Sequence, residues 1–127
     1  MRDRKTIEKV LLCCGFRYGC KAFKLIPKVV NQLAYSKKFI EALEYATEDS
    51  SISHTATKTA HKAIDYSLRE AHASNRLYNL NKLSRMPFIQ EAPPTAKEFC
   101  LFLLDLEIDD DAFTEYIMRG LSYDTQF

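Results

Sequence analysis

The stretch TATKTAHKAIDYSLREAH, Thr55–His72, decides the fold class. Ala60, Ala63, Ile64, Ser67, Leu68 and Ala71 recur at helical spacing, while Lys58, Lys62, Asp65, Arg69 and His72 follow one another at steps of four and three on the other side. One apolar and one polar face at that period predict an amphipathic helix. Its packed face is built of small residues, which allows close approach to neighbouring elements. Thr55 or Thr57 is the expected N-cap, since a threonine hydroxyl accepts one of the unpaired amides of a first turn.

Downstream, residues 74–85 place Leu77, Leu80 and Leu83 at helical spacing with Arg76, Lys82 and Arg85 outward, and Ser74 as a candidate cap. Residues 86–94 hold Pro87, Pro93 and Pro94 and read as a loop. Thr95-Ala-Lys-Glu98 is a capping-box pattern immediately before an apolar run, Phe99–Leu104 and Leu106. So apolar a helix is expected deep in the core, with Glu98 and Asp105 marking its one wet stripe. Asp109 or Asp110 caps an expected last helix bearing Phe113, Tyr116, Ile117 and Leu121, ended by Gly120.

Upstream, residues 47–54 are polar apart from Ile52 and read as a loop or a weak short helix. Residues 36–47 carry Phe39, Ile40, Leu43 and Ala46 behind a candidate cap at Ser36. Residues 20–34 carry Ala22, Leu25, Ile26, Val29, Val30 and Leu33, interrupted by Pro27. A proline there either kinks one helix or opens a second one. Ile7, Val10, Leu11 and Cys14 share a face of a first helix, and Gly15 stands where a helix ends. The reading is an all-α, compact domain of six to eight helices, residues 1–121, with a flexible tail at 122–127 and a central helix-turn-helix. Three glycines and four prolines in 127 residues agree with few turns and long helices.

The net charge of +1 conceals a strong asymmetry. Residues 1–90 carry 16 Lys/Arg against 8 Asp/Glu, whereas residues 91–127 carry 2 against 9. A basic body points to a polyanionic partner, or to the acidic third folding back upon it. No apolar run approaches the roughly 18 residues of a membrane span, and Leu11–Cys14 is too brief for a signal-peptide core. A cytoplasmic protein without membrane contact is expected. Cys14 and Cys100 fall within apolar patterns and are expected to be buried thiols, with Cys13 and Cys20 more exposed. The cysteine spacing is not that of a zinc site.

Chemistry is sparse. His54, His61 and His72 are surface histidines by pattern, with His61 and His72 three turns apart. There is no nucleophile elbow, phosphate-cradling glycine loop or His-Glu-x-x-His. Asp109–Asp111 lack calcium-loop spacing and read as caps. No catalytic role, cofactor or metal is expected. What remains is a polar helix start. Thr55, Thr57, Lys58, Thr59, His61 and Lys62 lie in its first two turns, where donors meet base edges if the helix enters a major groove. Lys21, Lys24 and Lys28 form a second stripe suited to phosphates.

Three stretches, in this order and spacing, carry a resemblance: Gly15–Leu33, His54–Ala71 and Pro94–Phe99. Residues 6–107 resemble the DNA-binding effector domain of the master sporulation response regulator of endospore-forming Firmicutes. The resemblance implies an all-helical fold with a helix-turn-helix near its middle, and dimeric or tandem binding to double-stranded DNA. It places base and nearby phosphate contacts on Lys58, Thr59, His61, Lys62 and Asp65. The family carries arginine where this chain has Thr59, Lys62 and Asp65, and glutamate at His61. Threonine for arginine removes a bidentate donor, so a different target sequence is implied. Such regulators place a phosphate-accepting receiver domain upstream, for which the few residues before this match leave no room. The acidic helix at 109–121 has no counterpart in the resemblance and is expected to cover part of the core or to mediate assembly.

Overall fold

A computed structural model describes residues 3–36, 38–48, 57–107 and 114. Within them lie six α-helices and one 3-10 turn, with no strand. They are α1 (Arg4–Cys13), α2 (Lys21–Leu33), α3 (Phe39–Thr47), α4 (Thr57–Ala73), the 3-10 turn Arg76–Tyr78, α5 (Asn79–Ser84) and α6 (Ala96–Asp105). The all-helical expectation holds. Thr55, the segment 49–56, the acidic helix 109–121 and the tail 122–127 fall outside the described residues, apart from Thr114.

α1 stops as its sequence requires. Gly15 takes φ +92°, its amide donates to Leu12 O, and the Phe16 amide donates to Leu11 O. This pair of bonds closes the helix end and turns Phe16 into the core, where its ring stacks on Phe99 at 5.7 Å. The chain re-enters a helix at Cys20, whose Sγ accepts the Phe23 amide at 3.4 Å.

α2 is the central element and packs against α1, α3, α4 and α6. Its residues Ala22, Phe23, Leu25, Ile26, Pro27, Val29, Val30 and Leu33 are all buried, leaving Lys21 and Lys24 exposed and Lys28 half-buried. The lysine stripe is thus the wet strip of an otherwise enclosed helix. Pro27 lies inside one continuous helix, which resolves the open alternative against a second helix starting there. The energy of burying this helix outweighs the one backbone bond that a proline removes.

Two expected caps serve other ends. Ser36 accepts from Gln32 Nε2 at 3.2 Å and donates its amide to Gln32 O, so it finishes α2, and α3 starts behind Lys38 instead. The Ser74 hydroxyl donates to Ala71 O and finishes α4; left-handed Asn75, φ 65°, then breaks the path into the 3-10 turn. Asn79 Nδ2 donates to Cys13 O at 2.8 Å and ties this region to the end of α1.

The capping box of α6 forms in full: the Glu98 amide donates to Thr95 Oγ1, and the Thr95 amide donates to Glu98 Oε1. α6 is less enclosed than its composition predicts. Phe99, Cys100 and Leu103 are buried, but Leu101 is 39% exposed, and Phe102 and Leu104 are half-buried. α2 takes the central place that composition assigned to α6. No helix among the described residues is long and apolar enough to cross a membrane.

Candidate nucleic-acid interface

α4 has one dry side and one wet side. Ala60, Ile64, Leu68 and Ala71 are buried, and Lys58, Thr59, Lys62, Tyr66, Arg69 and Glu70 are exposed. Small and aliphatic residues at three- and four-residue steps let α4 lie on α2, α3 and α6, which fixes the direction in which the lysines point. Lys58, Thr59 and Lys62 crowd the first turns, and Thr57 beside them is half-buried.

The polar residues of α4 divide into two sets. Lys58, Thr59 and Lys62 project outward, whereas His61 and Asp65 are tied to neighbouring elements. The His61 ring meets Phe39 of α3 edge-on at 5.6 Å, and its Nε2 lies 3.5 Å from Asp65 Oδ2. Asp65 Oδ1 accepts the Ala96 amide at 3.2 Å, satisfying one of the unpaired donors at the start of α6. This long-range tie has no signature in the sequence, because its partners are separated by a helix end, a 3-10 turn and a loop.

α2 and α4 present a shared surface. Lys21 and Arg17 line a cleft of about 230 Å³ together with Ala63, Tyr66, Ser67 and Glu70 of α4. Lys62 and Tyr66 stand one turn apart on α4 and so are neighbours on its surface. Arg17 and Tyr66 are therefore part of the basic surface, although the helical patterns single out neither. Arg17 Nη2 lies 3.4 Å from Glu70 Oε1, and the Tyr66 hydroxyl donates to the same carboxylate, which holds the phenol above its ordinary value. Tyr18, 81% exposed, lies over the Phe23 ring at 5.2 Å on the same side of the 15–20 turn. Lys24 and Lys28 continue the stripe along α2, about 10 Å from first lysine to last at the helical rise.

Other titratable groups supply no competing chemistry. Cys13 is buried, against expectation, because the final turn of α1 folds under the Asn79 contact. Burial pushes its thiol up to about 11, with nearby Arg76 opposing. Cys14 is raised further by burial and by Cys13, and burial pushes Cys100 up to about 12. Thiols this hard to ionise are poor nucleophiles and poor metal ligands. Cys20 is half-buried. Among the described residues no three His, Cys, Asp or Glu side chains are grouped to hold a metal ion. His72 is not a free surface histidine: its Nε2 contacts Gln90 O at 2.7 Å. Compared with known protein families, curated proteins and solved structures, the chain matches none.

Proposed function

We propose that this domain binds duplex DNA as a transcriptional regulator, with the N-terminal half of α4 as the reading helix of a helix-turn-helix and α2 holding the phosphate backbone. The observation that carries the reading is the placement of Lys58, Thr59 and Lys62 on the wet side of α4, on a surface continuous with Arg17 and Lys21. Lysine offers donors to guanine O6 and N7, and threonine serves a base or a phosphate. Tyrosine hydroxyls such as that of Tyr66 add phosphate donors. The resemblance of residues 6–107 to a sporulation-regulator effector domain supports the same reading and suggests tandem or dimeric binding. Asp65, engaged at the start of α6, is better suited to holding that helix than to meeting DNA.

Selection from random-sequence duplexes, at two salt concentrations, tests the proposal. A motif should be enriched, with affinity falling steeply as salt rises. Joint replacement Lys58→Ala and Lys62→Ala should weaken binding and reduce the magnitude of the log–log salt slope by about 2, roughly 0.9 for each phosphate no longer neutralised. The circular dichroism should stay unchanged, because both side chains are exposed. Binding indifferent to that pair would show that α4 is not the reading helix.

A second reading is a protein-interaction module that keeps the fold without specific DNA contact. It is favoured by one feature. α3, which packs on α4, turns Glu41, Glu44 and Glu48 to solvent, and these would repel an approaching duplex. Absence of salt-dependent DNA binding would favour this alternative.

A further inference from the structure

Residues 86–94 form no regular element, yet they are pinned along their length. Ile89 is buried; its amide donates to Asn81 Oδ1 at 2.8 Å and its carbonyl accepts from Asn81 Nδ2 at 2.9 Å. The carbonyl of Gln90 accepts from the Tyr78 hydroxyl at 2.9 Å and pairs with His72 Nε2. Pro87, Pro93 and Pro94 fix backbone torsions on either side. Such anchoring orders the opposite side of the loop, which is apolar and turned away from the core.

That side faces α6 across an open groove of about 1000 Å³. Phe88 stacks on Phe102 with ring centroids 4.0 Å apart and planes within 4°. Met86, 56% exposed, together with Pro87 and Pro93, extends the apolar surface. Glu91 and Glu98 stand on the lining, and no lysine or arginine lines it. Glu98 stays ionised below the ordinary carboxylate range, because the Thr95 backbone and side chain hydrogen-bond to it. A nucleic acid would be repelled by these carboxylates.

We propose that the groove between residues 86–94 and α6 binds a short extended segment of a partner protein, an apolar or proline anchor flanked by arginine or lysine. Flat aromatic floors suit extended, proline-containing peptides, which are preorganised and contribute little ordering cost. The two carboxylates select basic flanks. A preformed, rigid loop removes the ordering cost on this side as well. The proposal does not rest on DNA binding. The loop is attached at His72, about 21 Å along α4 from Lys58 at the helical rise, so both surfaces are open to occupation at once.

The test is selection of random octapeptides, displayed on phage, against the immobilised full chain. The expected result is enrichment of sequences that pair arginine or lysine with a nearby proline, aromatic or aliphatic residue. A selected peptide should bind about tenfold more weakly to Glu91→Arg, should bind more weakly to Met86→Ser, and should bind unchanged to the Lys58→Ala, Lys62→Ala protein. No enrichment, enrichment of acidic peptides, or equal affinity for Glu91→Arg would overturn the proposal. So would peptides displaced by duplex DNA, which would place them on α4. Sedimentation equilibrium supplies the remaining outcome: a dimer dissociated by Glu91→Arg would give the groove to a second copy of the chain and overturn the proposal.

Discussion

At Gly15 the chain needs a conformation that side chains rarely adopt, and it needs space. The φ of +92° reverses the chain out of α1, and a Cβ built there lies 2.9 Å from Arg76 Cβ. Both demands follow from one event, the turn that sends Phe16 onto Phe99 while the 3-10 turn closes over it. Gly15→Ala should therefore lower unfolding stability by about 1–3 kcal/mol, the usual range for one strained backbone position, read from urea denaturation. Gly19, φ +79°, meets nothing within 4 Å and imposes only the torsional demand. The sequence pattern located the stop at Gly15 because the amphipathic run ends there. It contained no hint of Arg76, which arrives from far along the chain.

At the scale of elements, legibility followed how local the controlling interaction is. The capping box of α6 was readable because Thr95 and Glu98 satisfy each other within one turn. The buried faces of α1, α2 and α4 were readable from periodicity alone. Ser36 and Ser74 misled because a serine between two helices can finish the first or start the second, and only the next element's path decides. Pro27 left two readings open because its cost is local while the gain from burying α2 is spread over the fold. The candidate site was half legible: lysine spacing revealed the two stripes, but not that Lys21 and Arg17 share a cleft with Tyr66, nor that His61 and Asp65 are occupied elsewhere. The rigid loop looked unstructured because its bonds come from Asn81, Tyr78 and His72 outside it.

The cap of α6 also sets a pH dependence. Glu98 has a folded-state pKa below its ordinary 4.5. Its contribution is complete above that value and is lost as pH falls through the depressed folded value. Thr95→Ala, which removes the capping hydroxyl, should cost about 1 kcal/mol near neutral pH. The difference between mutant and parent should stay level down to about pH 4.5 and narrow below it, as both lose the ionised Glu98. Thermal melts of the two proteins across that range read the effect.

For the whole molecule, the charge asymmetry of the chain becomes a spatial one. The lysines of α2 and α4 lie on one shared surface, and Glu91 and Glu98 line another where no cation stands. Asp65 joins the two, lying on the polar side of α4 and holding the first amide of α6. Asp65→Ala should thus have two effects of opposite sign. Loss of that bond should destabilise the domain by about 1 kcal/mol, measured by urea denaturation. Removal of a negative charge beside Lys62 should tighten DNA binding, measured by fluorescence anisotropy on the selected duplex. Weaker binding would instead return Asp65 to the set of DNA-contacting residues that the family resemblance suggests.

α4 is fastened at three stations: early through His61 against Phe39, midway through Asp65 to Ala96, and at its end through His72 to Gln90. A beam clamped at both ends and in the middle does not pivot. Whatever docks against its lysines must do the bending itself, so pliable duplexes, rich in easily kinked steps, should be favoured over stiff ones even at bases the protein never touches.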